Sequence, residues 1–187
     1  MSPSPFIVEW IERLARDAPA DRRACFARSD SRERRWALDV AMGRGRHAVP
    51  LARAGFRAFG VDVRLDAVRD AVTATTAAGA RLQAWCADLT MHPLPRARFD
   101  VVIVCRYLQR DLFPALRASA APGGVVLYET FTTAQRALGS GPTSPEHLLE
   151  PGELRAQFDV DEWDVLFYEE TREPEAVARL VAQRTFN

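Results

Sequence analysis

No lysine occurs in this chain: all 25 basic side chains are arginine. That excludes a catalytic lysine. Cysteine is scarce too. Cys25, Cys86 and Cys105 lie far apart and form no C-x-x-C pair, which argues against a disulfide framework and a thiolate zinc site. His47, His92 and His147 are equally scattered, so no metal constellation is visible. Basic and acidic residues cancel, 25 against 25, and leave no electrostatic case for a nucleic-acid partner. No apolar run is long enough to span a bilayer. The start, Met-Ser-Pro-Ser-Pro, lacks the charged leader and apolar core of a signal peptide. The expectation is a cytoplasmic protein with no membrane partner. Its length of 187 residues suits a single domain, with an N-terminal helix and connection over 1–35 and a core over 36–187.

The stretch Trp36-Ala-Leu-Asp-Val-Ala-Met-Gly-Arg-Gly-Arg-His-Ala48 organises the rest. An apolar strand runs into a turn with glycines at 43 and 45, then into a helix that ends at Gly55. Such glycines let a ligand approach backbone N–H groups at a helix N-terminus. Asp62 closes the next strand, where an acidic side chain can accept from ribose hydroxyls. The pattern reads as a Rossmann-like nucleotide site. Gly43-x-Gly45-x-x-Ala48 fits a dinucleotide fingerprint. Asp39, four residues before Gly43, points the other way: a carboxylate there repels a pyrophosphate and favours a cationic ligand.

Pro5 starts a helix, with Phe6, Ile7, Trp10, Ile11 and Leu14 as its apolar stripe. Residues 17–35 read as a polar surface connection with one helical turn near 24–27. Strands are expected over 36–41, 57–62, 81–86, 99–105 and 125–130. Helices are expected over 46–54, around Leu65, Val68 and Val72 up to Gly79, and over 111–119, with a turn at Pro122-Gly-Gly124. This alternation predicts an α/β fold with a parallel sheet and helices on both faces. Residues 132–150 show little periodicity and read as a long loop over the ligand-binding edge. A short helix over 151–158 and an antiparallel pair at 164–170 and 176–185 complete the chain.

The order of these features resembles motifs I and II of class I S-adenosylmethionine-dependent methyltransferases, although Ala41-Met42 replaces the commoner form of the glycine turn. The resemblance extends to Ala87-Asp88-Leu89 after the third strand, Phe99-Asp100 opening the fourth, Pro122-Gly123-Gly124 before the fifth, and the antiparallel end. It implies a seven-stranded, mostly parallel Rossmann-like sheet and S-adenosylmethionine as cofactor. By the same resemblance, the backbone of Ala41, Gly43 and Gly45 faces the methionine portion and Asp39 serves its ammonium. Asp62 holds the ribose, Val63 flanks the adenine, Asp88 and the Leu89 N–H meet the adenine edge, and Cys105 and Arg106 border the sulfonium. Within that class the chain resembles the tellurite-resistance-type methyltransferases, which act on small molecules.

Methyl transfer from a sulfonium asks for orientation and exclusion of water more than for proton chemistry. A thiol or chalcogen acceptor needs no base; a hydroxyl or amine acceptor needs one. Tyr107, Glu129 and His47 are the candidate catalytic residues. Arg46, Glu146 and His147 carry lower odds. The Asn/Asp-Pro-Pro-Tyr/Phe motif of many amino-group nucleic-acid methyltransferases is absent, which argues for a small-molecule acceptor. The alternatives are an NAD(P)-dependent oxidoreductase, marked by a sixth parallel strand, and a nucleotide-binding module without catalysis. Either a monomer or a homodimer is compatible with the composition.

Overall fold

The computed structural model describes residues 2–16 and 35–186. The connection read over 17–34, with its turn near 24–27, lies outside the described residues. In chain order the elements are α1 (Pro5–Arg16), β1 (Trp36–Val40), α2 (Ala48–Arg53), β2 (Arg57–Asp62), α3 (Leu65–Ala77), β3 (Leu82–Cys86) and β4 (Phe99–Cys105). There follow α4 (Phe113–Ser119), β5 (Ala120–Phe131), α5 (Glu153–Ala156), β6 (Trp163–Glu170) and β7 (Val177–Arg184). The strands form one sheet in the order β3-β2-β1-β4-β5-β7-β6. The first five are parallel, and β7 enters antiparallel between β5 and β6. The expected antiparallel end is therefore present, and β7 runs opposite to the sixth parallel strand that a dinucleotide-dependent oxidoreductase called for.

Period-two alternation distributes the core to both sides of the sheet. Val101 and Ile103 of β4 face one side and pack with Phe6, Ile7 and Ile11 of α1 and Leu51 of α2. Val102 and Val104 face the other and pack with Phe113 and Leu116 of α4 and Leu154 and Phe158 around α5. A strand buried on both faces must be largely apolar, which is why Phe99–Cys105 reads as a nearly all-apolar run, with Asp100 its one polar residue. Two helices end as their glycines require. Gly55 and Gly79 adopt φ of 88° and 72°. The pairs Gly55 N–H to Ala52 O with Phe56 N–H to Leu51 O, and Gly79 N–H to Thr76 O with Ala80 N–H to Thr75 O, close the carbonyl ends.

Three expectations need correction. The helix read over 46–54 begins at Ala48, because 43–47 are spent in the glycine turn. Pro122-Gly-Gly124 is not a turn outside the sheet; it is an irregularity within β5, where Phe99 pairs with Ala120 and Val101 with Val125. A Cβ on Gly124 would lie 2.8 Å from the Phe99 carbonyl oxygen, so the glycine permits the close approach. Residues 132–150 are ordered by 3-10 turns at Thr133–Leu138 and Pro145–His147. Buried Gln135 holds this segment to the sheet, donating to Ser140 O at 2.9 Å and accepting from the Ala176 N–H at 2.7 Å.

No helix joins β3 to β4; residues 87–98 are turns and coil. The face of β1, β2 and β3 that such a helix would cover carries half-buried Trp36, Phe59 and Trp85. Trp36 stacks on Phe59 at 4.7 Å between centroids, under the guanidinium of Arg98 at 4.1 Å. Packing is thus uneven across the sheet, and truncations should report it. Phe113→Ala, in the fully buried core, is expected to cost about 3–5 kcal/mol, and Trp85→Ala about half that or less. Urea unfolding of both variants measures this; equal losses would mean that the bare face is as tightly packed as the covered one.

Candidate functional site

In a sheet of this order the connections from β1 and β4 leave in opposite directions, and a crevice opens at their carboxyl ends. Both strands end in strain at that point. Ala41 and Arg106, each one residue beyond its strand, hold φ of 51° and 62°, a region that non-glycine residues avoid.

The glycine turn is built from three backbone bonds: Met42 N–H to Val61 O, Gly45 N–H to Met42 O and Ala48 N–H to Gly45 O, each 3.0 Å. Its tip is tied to β2 by a carboxylate. Asp62 accepts the Gly43 N–H at 2.8 Å on one oxygen and the Arg64 N–H at 2.9 Å on the other. The two glycines serve different ends. Gly43 has φ of 54°, and a Cβ there meets nothing within 4 Å. Gly45 has φ of 70°, and a Cβ there would lie 2.8 Å from that of Ala71 in α3. Met42, which carried no signal in the sequence, fills the space over Gly60, where an added Cβ would meet its sulfur at 2.0 Å.

Asp39 and His47 form a buried pair. Nδ1 of His47 lies 3.4 Å from Oδ2 of Asp39, with both side chains almost wholly inaccessible. The other ring nitrogen, Nε2, accepts the backbone N–H of Ser4 at 3.3 Å. His47 thus links the start of α1 to β1. Ser4 has no motif that would reveal this from the sequence.

The ends of β4, β5 and β7 gather a second polar group. Glu129 is 1% exposed. Its Oε2 accepts from Arg179 Nε at 2.9 Å, and its Oε1 lies 3.4 Å from Arg106 Nη2. Arg106 also donates to Glu175 and lies over the Phe131 ring at 4.3 Å. Arg46 approaches from the glycine turn, with Nη2 3.1 Å from Cys105 Sγ and 3.4 Å from its carbonyl oxygen. Burial, followed by the Glu129 and Asp39 charges and opposed by Arg46 and Arg106, pushes the Cys105 thiol up to about 12. Arg179 was not foreseen: it faces Glu129 directly across the β5–β7 ladder, a partnership visible only once the register is known.

The remaining predicted residues line the β2–β3 side. Val63 is 62% exposed at the end of β2. Asp88 accepts from the Thr90 hydroxyl at 2.7 Å and its backbone N–H at 2.9 Å, and these bonds hold its carboxyl below the usual range. Leu89 is half-buried beside the core. Tyr107 donates to Gln109 Oε1; burial, then the charges of Asp111, Asp88 and Asp62, raise its phenol above the ordinary value. So the crevice brings together Asp39, Ala41, Gly43, Cys105, Arg106 and Glu129, while Val63, Asp88 and Leu89 follow the β2–β3 end. Among the described residues no group of His, Cys, Asp or Glu could hold a metal ion, and no helix is long and apolar enough to cross a membrane.

Residues 37–124, which contain this turn and four of the five parallel strands, match the family model of a methyltransferase domain. No curated protein shows significant similarity to the chain. Solved structures share the fold. An S-adenosylmethionine-dependent methyltransferase from Aquifex aeolicus is 16% identical with a TM-score of 0.66, over 98% of this chain and 100% of that one. TehB from Haemophilus influenzae is 14% identical with a TM-score of 0.66, over 88% of this chain and 60% of that one. A protein solved in a study of the conversion of a disulfide bond into a thioacetal group during echinomycin biosynthesis is 21% identical, with a TM-score of 0.65 over 82% and 77%.

Two predictions follow from the geometry. Gly45→Ala adds steric conflict to left-handed strain and should cost about 2–4 kcal/mol, whereas Gly43→Ala carries strain alone, about 1–2 kcal/mol. Chemical denaturation of the two variants decides it, and a Gly43→Ala loss as large as that of Gly45→Ala would contradict the open tip. Second, at pH 8 Cys105 is a buried, protonated thiol whereas Cys86 is exposed. Iodoacetamide should label Cys86 within minutes and leave Cys105 unmodified by peptide mass spectrometry. Comparable labelling of both would refute the assigned environment of Cys105.

Proposed function

We propose that this chain is a class I S-adenosylmethionine-dependent methyltransferase and that it delivers the methyl group to a small acceptor whose nucleophile arrives already anionic, a thiolate or a related chalcogen. One observation carries the reading: the side chains expected to act as bases, His47, Glu129 and Tyr107, are each engaged with other protein groups. Glu129 faces two guanidinium groups. Both nitrogens of His47 face protein groups. The Tyr107 hydroxyl donates to Gln109, and burial holds the Cys105 thiol protonated. A hydroxyl or amine acceptor would need a base that this arrangement does not offer.

The residues present fit the cofactor. Asp62 keeps acceptor capacity for ribose hydroxyls beyond its two backbone bonds. Exposed Val63 offers an apolar flank to an adenine ring, and Asp88 with the Leu89 N–H an acceptor and a donor for its edge. Open backbone at Ala41 and Gly43 leaves room for the methionine portion. The buried Asp39 charge favours a cationic end, and the Cys105 carbonyl and Arg106 border the reacting centre. When bound, S-adenosylmethionine supplies an electrophilic methyl group whose thioether leaving group needs no proton. The acceptor's lone pair forms the new bond to carbon, and the electrons of the old carbon–sulfur bond stay with the thioether. Arg46 and Arg106 set two guanidinium groups beside Cys105 and Glu129, a local attraction for an anionic nucleophile. The sulfur chemistry named for the echinomycin-related neighbour agrees with this direction.

The test is a panel of small thiols of different acidity, with a catechol and a primary amine as controls. The expected result is methylation of thiols alone, with a rate that rises with pH up to each thiol's own pKa and shifts when the thiol is changed. Turnover confined to the catechol or the amine, or a pH midpoint that ignores the acceptor, would overturn the proposal.

A further inference from the structure

The buried line Ser4–His47–Asp39 joins the start of α1 to β1 beside the glycine turn. Its hydrogen bonds fix where the protons sit. Nε2 of His47 accepts the Ser4 N–H at 3.3 Å, so that nitrogen holds a lone pair and the ring proton resides on Nδ1. Nδ1 in turn lies 3.4 Å from Oδ2 of Asp39, an oxygen that is buried and makes no hydrogen bond of its own. A buried carboxylate oxygen with a ring nitrogen beside it and no hydrogen bond made is an incompletely satisfied charge. It lies two residues before strained Ala41, on the strand that delivers the glycine turn. Its field reaches the crevice, since it contributes to raising the Cys105 thiol.

We propose that His47 is a positioning residue for the cofactor. With its proton fixed on Nδ1 by the Ser4 N–H, it keeps the Asp39 carboxylate oriented toward the amino-acid end of S-adenosylmethionine. The start of α1, 43 residues away in sequence, thereby sets the affinity for the cofactor's ammonium group. This rests on the cofactor assignment and adds to it a residue and a direction: His47 acts on ligands that carry the ammonium and is indifferent to those that lack it.

Two ligands separate this role from a structural one. S-adenosylhomocysteine carries the amino-acid end; 5′-methylthioadenosine keeps the adenosine and thioether without it. Calorimetric titration of the full chain with each, for wild type, His47→Phe, His47→Asn and Asp39→Asn, is the experiment. His47→Phe should weaken S-adenosylhomocysteine about tenfold or more, because it removes the polar neighbour that faces a buried charge. It should leave 5′-methylthioadenosine within about twofold. His47→Asn, whose amide reaches the place of Nδ1, should recover most of the loss. Asp39→Asn should show the same selective loss, and adding His47→Phe to it should bring no more. Should His47→Phe fail to fold, Ser4→Pro, which deletes the donor N–H and leaves His47 in place, carries the same comparison. Equal losses for both ligands, or an unchanged affinity for S-adenosylhomocysteine, would overturn the proposal. A wild-type chain that binds neither ligand would instead sink the cofactor assignment beneath it.

Discussion

The carboxylate of Asp62 ties the β1 and β2 sides of the crevice together. One oxygen takes the Gly43 N–H and the other the Arg64 N–H, so the tip of the glycine turn and the start of the next connection share one anchor. Such charge-assisted bonds are short and directional. The turn beneath needs that anchor, because it contains three successive alternate residues, Ala41, Gly43 and Gly45, with positive φ. Without a fixed tip the backbone would have many ways to relax, and the N–H groups that meet a ligand would no longer converge. Parallel pairing of β1 with β2 sets the two ends side by side, since Val40 registers with Val61 and Asp62 follows.

The opposite wall of the crevice is stiffened by ion pairs in place of backbone bonds. A carboxylate as buried as Glu129 is costly to desolvate, and its arginine partners offset that cost without adding much net stability. What the arrangement gives is position. Arg106 is held by Glu129 on one side, Glu175 on another and the face of Phe131, with its backbone left-handed. A guanidinium so constrained loses little further freedom when a ligand arrives, and pre-organisation of this kind lowers the entropic cost of binding.

How much of this could be read from the residues depends on the range of the interaction. Strands β2 and β4 follow the sequence residue for residue, because Arg57–Asp62 ends in a recognisable acid and Phe99–Cys105 is a short, β-branched, nearly all-apolar run. The glycine turn and its acid were legible for the same reason: their chemistry is local. The inner half of β5 was not, since a Pro-Gly-Gly triplet signals a turn and only pairing with Phe99 keeps it in the sheet. The 3-10 turns after β5 were hidden as well, because they are stabilised by Gln135 reaching Ala176 rather than by any periodicity. At the site, residue types were visible and partners were not. Ser4 with His47, and Glu129 with Arg179, are pairs separated by 43 and 50 residues, and only the assembled sheet joins them.

The same physics explains why the polar residues that looked catalytic turn out to be occupied. A sequence advertises His47, Glu129 and Tyr107 because polar groups stand out among apolar neighbours. Apolar neighbours, however, mean burial, and a buried polar group must be satisfied within the protein. His47 and Glu129 both fall on the face covered by α1, where Phe6 and Ile7 exclude water. Each has accordingly found protein partners, and a group that spends its lone pairs on the fold has none left for a substrate proton. A reaction that requires proton transfer would have to break one of these contacts at each turnover. Transfer from a sulfonium to an anionic nucleophile breaks none of them, and that economy is the physical ground for proposing that kind of acceptor.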